Sequence, residues 1–189
     1  MLLFPQIFAG QSAPWHLVST SPDRPVSRPA QLTPSETTAI RHLLSSPDQK
    51  QTWDCETGNS NAEWLQDLRF SILPVNPSQR VLLAEAGAGC ARGGQGANGA
   101  MWAIRFDGER PRILASPAYN FNGWLYSLSP SSSHGYRDIV LGWHLGAGEA
   151  GLTYFRFNGR QYRQIGSAQW LGGADSAKIV PNPQPANLR

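Results

Sequence analysis

Residues 101–115 read M-W-A-I-R-F-D-G-E-R-P-R-I-L-A and residues 152–165 read L-T-Y-F-R-F-N-G-R-Q-Y-R-Q-I. The core of the first, I-R-F-D-G at 104–108, recurs 51 positions later as F-R-F-N-G at 155–159. Each copy is an extended run, a turn pair and a second extended run. Asp-Gly and Asn-Gly are the preferred central residues of a type I′ turn, because both tolerate positive φ, so each copy predicts a hairpin. Side chains alternate across a strand, which puts Trp102, Ile104 and Phe106 on one face and Thr153, Phe155 and Phe157 on the equivalent face. By the same alternation Arg105 and Arg156 are expected on the opposite, wetter face. A propeller would need about four copies of such a unit, and only two are found.

Working outward from the duplicated hairpin, six-residue or shorter extended runs follow one another from residue 70 onward. They are Phe70–Val75, Val81–Glu85, Met101–Phe106, Arg112–Ala115, Trp124–Leu128, Asp138–Trp143, Leu152–Phe157 and Tyr162–Ile165. Connections such as F-D-G-E and F-N-G-R are too short for the crossover helices that parallel pairing requires. The fold class expected is therefore mainly β: an antiparallel hairpin-built sheet, sandwich or small barrel. Upstream, T-P-S-E at 33–36 places Thr33 at an N-cap, Pro34 at the first helical position and Glu36 at the third, ahead of Ile40, Leu43 and Leu44 at helical spacing. This predicts one short N-terminal helix over about 34–45, packed on the sheet, with a second helix possible around Ala62–Leu68.

The chain has 189 residues, 19 of them Gly, 15 Pro and 7 Trp, with 15% charged. That length suits one domain, and the composition suits short strands joined by many turns. The expected division is an N-terminal extension at 1–32 with a Pro-rich connector, a β-rich domain at 33–173 and a tail at 174–189. The start M-L-L-F-P-Q-I-F-A-G-Q-S-A has the outline of a late or truncated signal peptide, and equally of a first strand or a loose terminus. No stretch approaches 18 apolar residues, so no membrane span is expected.

Basic residues exceed acidic ones, 16 against 13, for a formal charge of +3. They are scattered, which argues against a nucleic-acid partner, although Arg105, Arg110 and Arg112 and then Arg156, Arg160 and Arg163 form two groups able to meet in space. Two cysteines, Cys55 and Cys90, lie among turn formers in W-D-C-E-T-G and G-A-G-C-A-R-G-G. A disulfide between them, and with it an oxidising compartment, is the expectation; two buried thiols are the alternative. There is no zinc spacing and no phosphate-binding loop, and neither a metal nor a cofactor is expected.

Segment 131–143, S-S-S-H-G-Y-R-D-I-V-L-G-W, resembles the FG-GAP or VCBS repeats, in which an acidic calcium loop leads into an aspartate and a hydrophobic strand ending in Gly. Asp138, Ile139, Val140, Leu141 and Gly142 match the strand, and the likeness extends over 131–159. Ser131, Ser132, Ser133 and His134 stand where acidic ligands belong, so the resemblance implies a β repeat without the calcium loop.

For chemistry, Glu85 ends an apolar strand before the glycine-rich loop at 87–99, and His134, Asp138 and His144 are the nearest approach to a polar cluster. These are the candidate catalytic residues of a small exported hydrolase acting on a glycan or cell-wall polymer. P-A-Y-N-F-N-G-W at 117–124 alternates rings with Asn amides, a combination suited to sugars and to protein edges. Tyr119, Phe121, Asn122 and Trp124 are accordingly the candidate ligand-binding residues of a non-catalytic exported binding or interaction module, secreted or periplasmic, monomeric or weakly dimeric, that recognises a glycan or another protein. This is the leading expectation, ahead of the hydrolase and of a purely structural hairpin repeat.

Overall fold

The computed structural model describes residues 28–50, 68–86, 98–146, 149–171 and 180–181. Its elements are β1 Arg28–Pro29, α1 Pro34–Leu44, α2 Pro47–Lys50, β2 Leu68–Ile72, β3 Val81–Ala86, β4 Met101–Asp107, β5 Arg110–Ala115, β6 Trp124–Ser133, β7 Tyr136–Gly146, β8 Glu149–Phe157, β9 Tyr162–Leu171 and β10 Val180–Pro181. They form two antiparallel meanders in chain order, β1-β2-β3-β4-β5 and β10-β9-β8-β7-β6. The outermost strands β1 and β10 have two residues each, so four substantial strands make up each sheet. The mainly-β expectation holds, and all eight extended runs fall within or across these strands. Val180–Pro181, within the tail at 174–189, pairs with Ala168 and Gln169 as a short edge strand.

The two sheets face each other across one apolar core. Val81, Leu83, Met101, Ala103 and Leu114 of the first meet Leu128, Ile139, Leu141, Phe155 and Phe157 of the second. A second core lies on the far side of the first sheet, where Leu82, Ala84, Trp102 and Ile104 receive Ile40 and Leu44 of α1. Ile40 and Leu44 are four residues apart, hence on one face of the helix, and both are fully buried. Burial of each large side chain contributes about 1.5–3 kcal/mol, so the helix is held chiefly by this stripe. Its start is fixed locally: the Thr33 hydroxyl accepts from the Glu36 N–H at 3.2 Å, and the Glu36 carboxylate accepts from the Thr33 N–H at 2.9 Å. Because the first sheet is covered on both faces, β3 reads V-L-L-A without alternation.

That second core overturns one expectation about the duplicated hairpins. Trp102 and Ile104 face the helix, whereas Phe155 and Phe157 face the sandwich interior. The equivalent arginines therefore point in opposite senses, Arg105 toward the space between the sheets and Arg156 outward. Sequence alternation assigns residues to faces but does not say which face a helix covers.

The turns also differ from the type I′ expectation. Asp107 stands opposite Arg110, so the loop is Gly108-Glu109, and only Gly108 has positive φ, at 65°. Glycine at the first central position is the type II′ arrangement. In the second copy Phe157 stands opposite Tyr162, leaving a four-residue loop in which Gly159 alone has positive φ, at 93°. There the Asn158 carboxamide oxygen accepts from the N–H groups of Arg160 and Gln161 at 3.0 and 2.9 Å. Asn158 closes the loop through its side chain rather than through a left-handed backbone.

The Cys55–Cys90 disulfide is a further correction. The bridge is not supported and is withdrawn, and with it the disulfide as an argument for an oxidising compartment. Turn formers around a cysteine mark a loop, but a bridge needs Cα atoms within about 4.4–6.8 Å, which local sequence does not measure. Both cysteines, the glycine-rich loop at 87–97 and the helix expected from Ala62 lie outside the described residues, save that Leu68 opens β2.

Candidate functional site

The residues proposed for catalysis are dispersed. His134 sits in the β6–β7 turn with φ 51°, exposed, its ring edge-on to Phe157 with centroids 6.4 Å apart. Asp138 is fully buried and bound to Arg156, with Nη2 at 2.7 Å. His144 lies six residues farther along β7, about 20 Å away at strand rise. There its ring meets that of Trp124 at a tilt of 44°, with centroids 4.5 Å apart, and its backbone is clasped by the Asn98 carboxamide. Sequence proximity misled here because a strand extends its residues instead of gathering them. Among the described residues no three His, Cys, Asp or Glu side chains are grouped to hold a metal ion.

Glu85 stands in register between Arg69 of β2 and Met101 of β4, at the edge of the inter-sheet space. Burial raises its pKa, and the charge of Arg69 draws it partly back. The folded protein thus keeps the Glu85 proton to higher pH than the unfolded chain does. Stability is then fully retained below the ordinary glutamate range and declines as pH rises through the elevated native value. Glu85→Gln should remove this decline, so that urea midpoints of the variant and wild type converge near pH 4 and separate in the variant's favour by about pH 7. A wild type whose midpoint rises in parallel with the variant's would show that Glu85 is comfortably solvated.

The aromatic segment divides between core and surface. Phe121 is fully buried and meets Phe155 edge-on at 5.1 Å, so it belongs to the sandwich interior. Asn122 is half-buried and bridges to Ala100 through the backbone. Trp124 lies flat over Gly142, where a Cβ would come within 2.4 Å of its ring. Only Tyr119, at the end of the 3-10 turn Pro117–Tyr119, remains outside, 40% exposed. The Arg163 guanidinium lies over its ring, 4.0 Å from the centroid. Beside it Asn120, left-handed at φ 63°, donates to the Gln164 carboxamide at 3.1 Å. Arg163 and Gln164 enter through β9, a partnership across more than forty residues that local sequence does not reveal.

The two arginine groups do meet. Arg105 and Arg112 are cross-strand partners on β4 and β5, as are Asp107 and Arg110. Arg112 Nη2 reaches the Arg160 carbonyl of the β8–β9 loop at 3.4 Å. Inside this mouth of the sandwich, Arg105 Nη1 donates to the Gln79 carboxamide at 2.9 Å and to the Tyr136 hydroxyl at 2.8 Å, and Nη2 pairs with Asp107 at 2.7 Å. The Tyr136 hydroxyl in turn donates to Gln79. Arg105 thus ties the first sheet to the second, and the Tyr136 hydroxyl is the main cause of its raised pKa. A cavity of about 410 Å³ opens here, lined by Ser78, Gln79, Arg80, Arg105, Asp107 and neighbours. It adjoins a longer groove of about 1070 Å³ between α1 and the β4–β5 hairpin, with Phe106 and Gly108 common to both.

Among the described residues no helix is long and apolar enough to cross a membrane. No family model, curated protein or solved structure matches the chain.

Proposed function

We propose that this protein is a non-catalytic binding or interaction module that recognises a glycan or a protein edge through the surface where the 117–120 segment meets β9. One observation carries the reading: an exposed tyrosine ring is held in place by a guanidinium and flanked by an Asn–Gln amide pair. The ring offers apolar area, the amides offer directional hydrogen bonds, and Arg163 limits the rotamers the ring must give up on binding. By contrast Glu85 has a cation, Arg69, as its charged neighbour, and Asp138 and His144 stand far apart along one strand. These positions give the hydrolase reading little to work with. A secreted or periplasmic setting belongs to the same proposal, supported by the apolar run M-L-L-F-P-Q-I-F at 1–8.

Tyr119→Ala and Arg163→Ala should each abolish binding to whatever ligand the wild type selects from a glycan array or a panel of candidate partner proteins. Both changes lie at the surface, so stability should stay within about 0.5 kcal/mol of wild type. Unchanged binding in both variants would overturn the assignment. Loss of binding accompanied by loss of the folded state would assign Tyr119 to packing instead.

A further inference from the structure

We propose that the mouth of the sandwich at Arg105 is an oxyanion-binding site, taking the carboxylate, phosphate or sulfate group of a ligand. It is a separate place from the Tyr119 surface and does not depend on that reading. The argument starts from the inward positions of β4. Met101 and Ala103 are core, and the next two inward residues, Arg105 and Asp107, are charged. Ending an apolar row in a guanidinium leaves a polar opening at the rim of the core, and the 410 Å³ cavity occupies that place.

The Arg105 side chain is 17% exposed, and its contacts hold the guanidinium in one orientation. Nη1 serves Gln79 and Tyr136, and Nη2 serves Asp107. These contacts account for a structural role in joining the sheets. They do not account for Nε, which is shielded from water and has no acceptor among the described residues. A desolvated donor left without a partner is costly, and a turn of the guanidinium that brings Nε to the cavity would let an oxygen of a bound anion satisfy it.

The charges around the cavity suit an anion of low valence. Arg80 lines it and is tied through Nη1 to Glu36, while its Nη2 donates to the Gln31 carbonyl. Asp107 is shared between Arg105 at 2.7 Å and Arg112 at 3.9 Å. Three guanidiniums thus face two carboxylates, leaving one positive charge in excess. Asp107 is the counterweight: its carboxylate occupies part of the field an incoming anion would use. A guanidinium matches carboxylate, phosphate and sulfate alike, so the geometry specifies the group and leaves its carrier open.

The test titrates inorganic phosphate, sulfate and a monouronic acid into the intact protein at low ionic strength, following the arginine Nε–H resonances by NMR. Saturable displacement of the Arg105 Nε–H signal is expected with at least one of the three, and the preferred one separates phosphate or sulfate carriers from carboxylate carriers. Arg105→Lys identifies the signal. Because Arg105 joins the sheets, the affinity comparison uses two variants at exposed positions instead. Asp107→Asn should tighten binding and Arg80→Gln should weaken it, each by about threefold, the scale of one partly exposed charge. Tyr119→Ala should leave the anion affinity unchanged. An Arg105 Nε–H signal unmoved by all three anions would overturn the site, and so would equal affinities in wild type, Asp107→Asn and Arg80→Gln.

Discussion

Gly123→Ala should destabilise the protein by about 3–5 kcal/mol, through the sum of backbone strain and overpacking. Gly123 has φ 109°, a region that side chains of L-residues rarely enter. A Cβ built there would stand 2.0 Å from the Gly142 carbonyl oxygen, which is main chain of β7 and cannot rotate away. The close approach has a structural purpose. Gly123 donates its N–H to Gly99 at 2.9 Å, and the next residue, Trp124, enters the second sheet opposite Gly142. The chain therefore passes from one sheet to the other at this point, immediately after the buried Phe121. Two other glycines separate the contributions. Gly108, at φ 65° in open space, should cost only the conformational term on mutation to Ala, about 1–2 kcal/mol. Gly166 has neither positive φ nor a neighbour within 4 Å of a Cβ, so its Ala variant should fall within about 0.5 kcal/mol of wild type. Urea unfolding of the three variants gives the comparison. Equal midpoints for Gly123→Ala and Gly108→Ala would mean that β7 yields to the added methyl and that the crossing is not close-packed.

The duplicated hairpins show where sequence reasoning stops. Alternation of apolar and polar residues is a local property, and it located the extended runs of β4, β5, β8 and β9 because each lies in a small antiparallel ladder. The capping box at Thr33 and Glu36 was legible for the same reason: two residues three apart carry the whole interaction. What failed was everything decided by a distant partner. I-R-F and F-R-F read alike, yet Trp102 and Ile104 face α1 while Phe155 and Phe157 face the opposite sheet. A helix more than fifty residues upstream decides the difference. Phe121 looked like a loop ring among Asn residues, and it is the residue that fills the core where the chain changes sheets.

The candidate site was legible to the same partial extent. Tyr119 was picked out by its setting in a polar turn, and it is the one ring of its segment that stays exposed. Its partners Arg163 and Gln164 come from β9, brought across by the packing of the sheets rather than by any local pattern. The arginine groups around Arg105 and Arg160 were visible as charge, but only the shared hairpin end of the two sheets makes Arg112 meet the Arg160 carbonyl. His134, Asp138 and His144 lie within eleven positions and looked like a cluster. A β-strand advances about 3.3 Å per residue, so nearness in sequence along β7 becomes separation in space.

The ion pair that replaces that cluster sets the second large effect. Arg156→Ala should cost about 3–5 kcal/mol, because it strands a carboxylate where water does not reach. Asp138 is fully buried, one step along the ladder from the Ile139–Phe155 pair, and it accepts from Arg156 Nε at 3.1 Å and Nη2 at 2.7 Å. The guanidinium is 46% exposed, so the two partners are not equivalent. Asp138→Asn leaves a cation that water can solvate and a neutral amide of the same shape. Its cost should be about 1–2 kcal/mol, near that of charge-assisted hydrogen bonds alone. Arg156→Lys keeps the charge but supplies a single point instead of a planar fork, and should fall between the two. The double variant Arg156→Ala with Asp138→Asn should recover much of the loss, since no unpaired buried charge remains. The pair also ties β7 to β8 beneath the loop that carries Arg160 and leads into Arg163. Arg156→Ala should therefore also weaken the ligand capture proposed for the Tyr119 surface, whereas the double variant restores it along with stability. Urea denaturation of the four proteins decides the matter. If Arg156→Ala costs no more than Asp138→Asn, the Asp138 carboxylate has another source of stabilisation, and the β8–β9 hairpin is held in place by its apolar face alone.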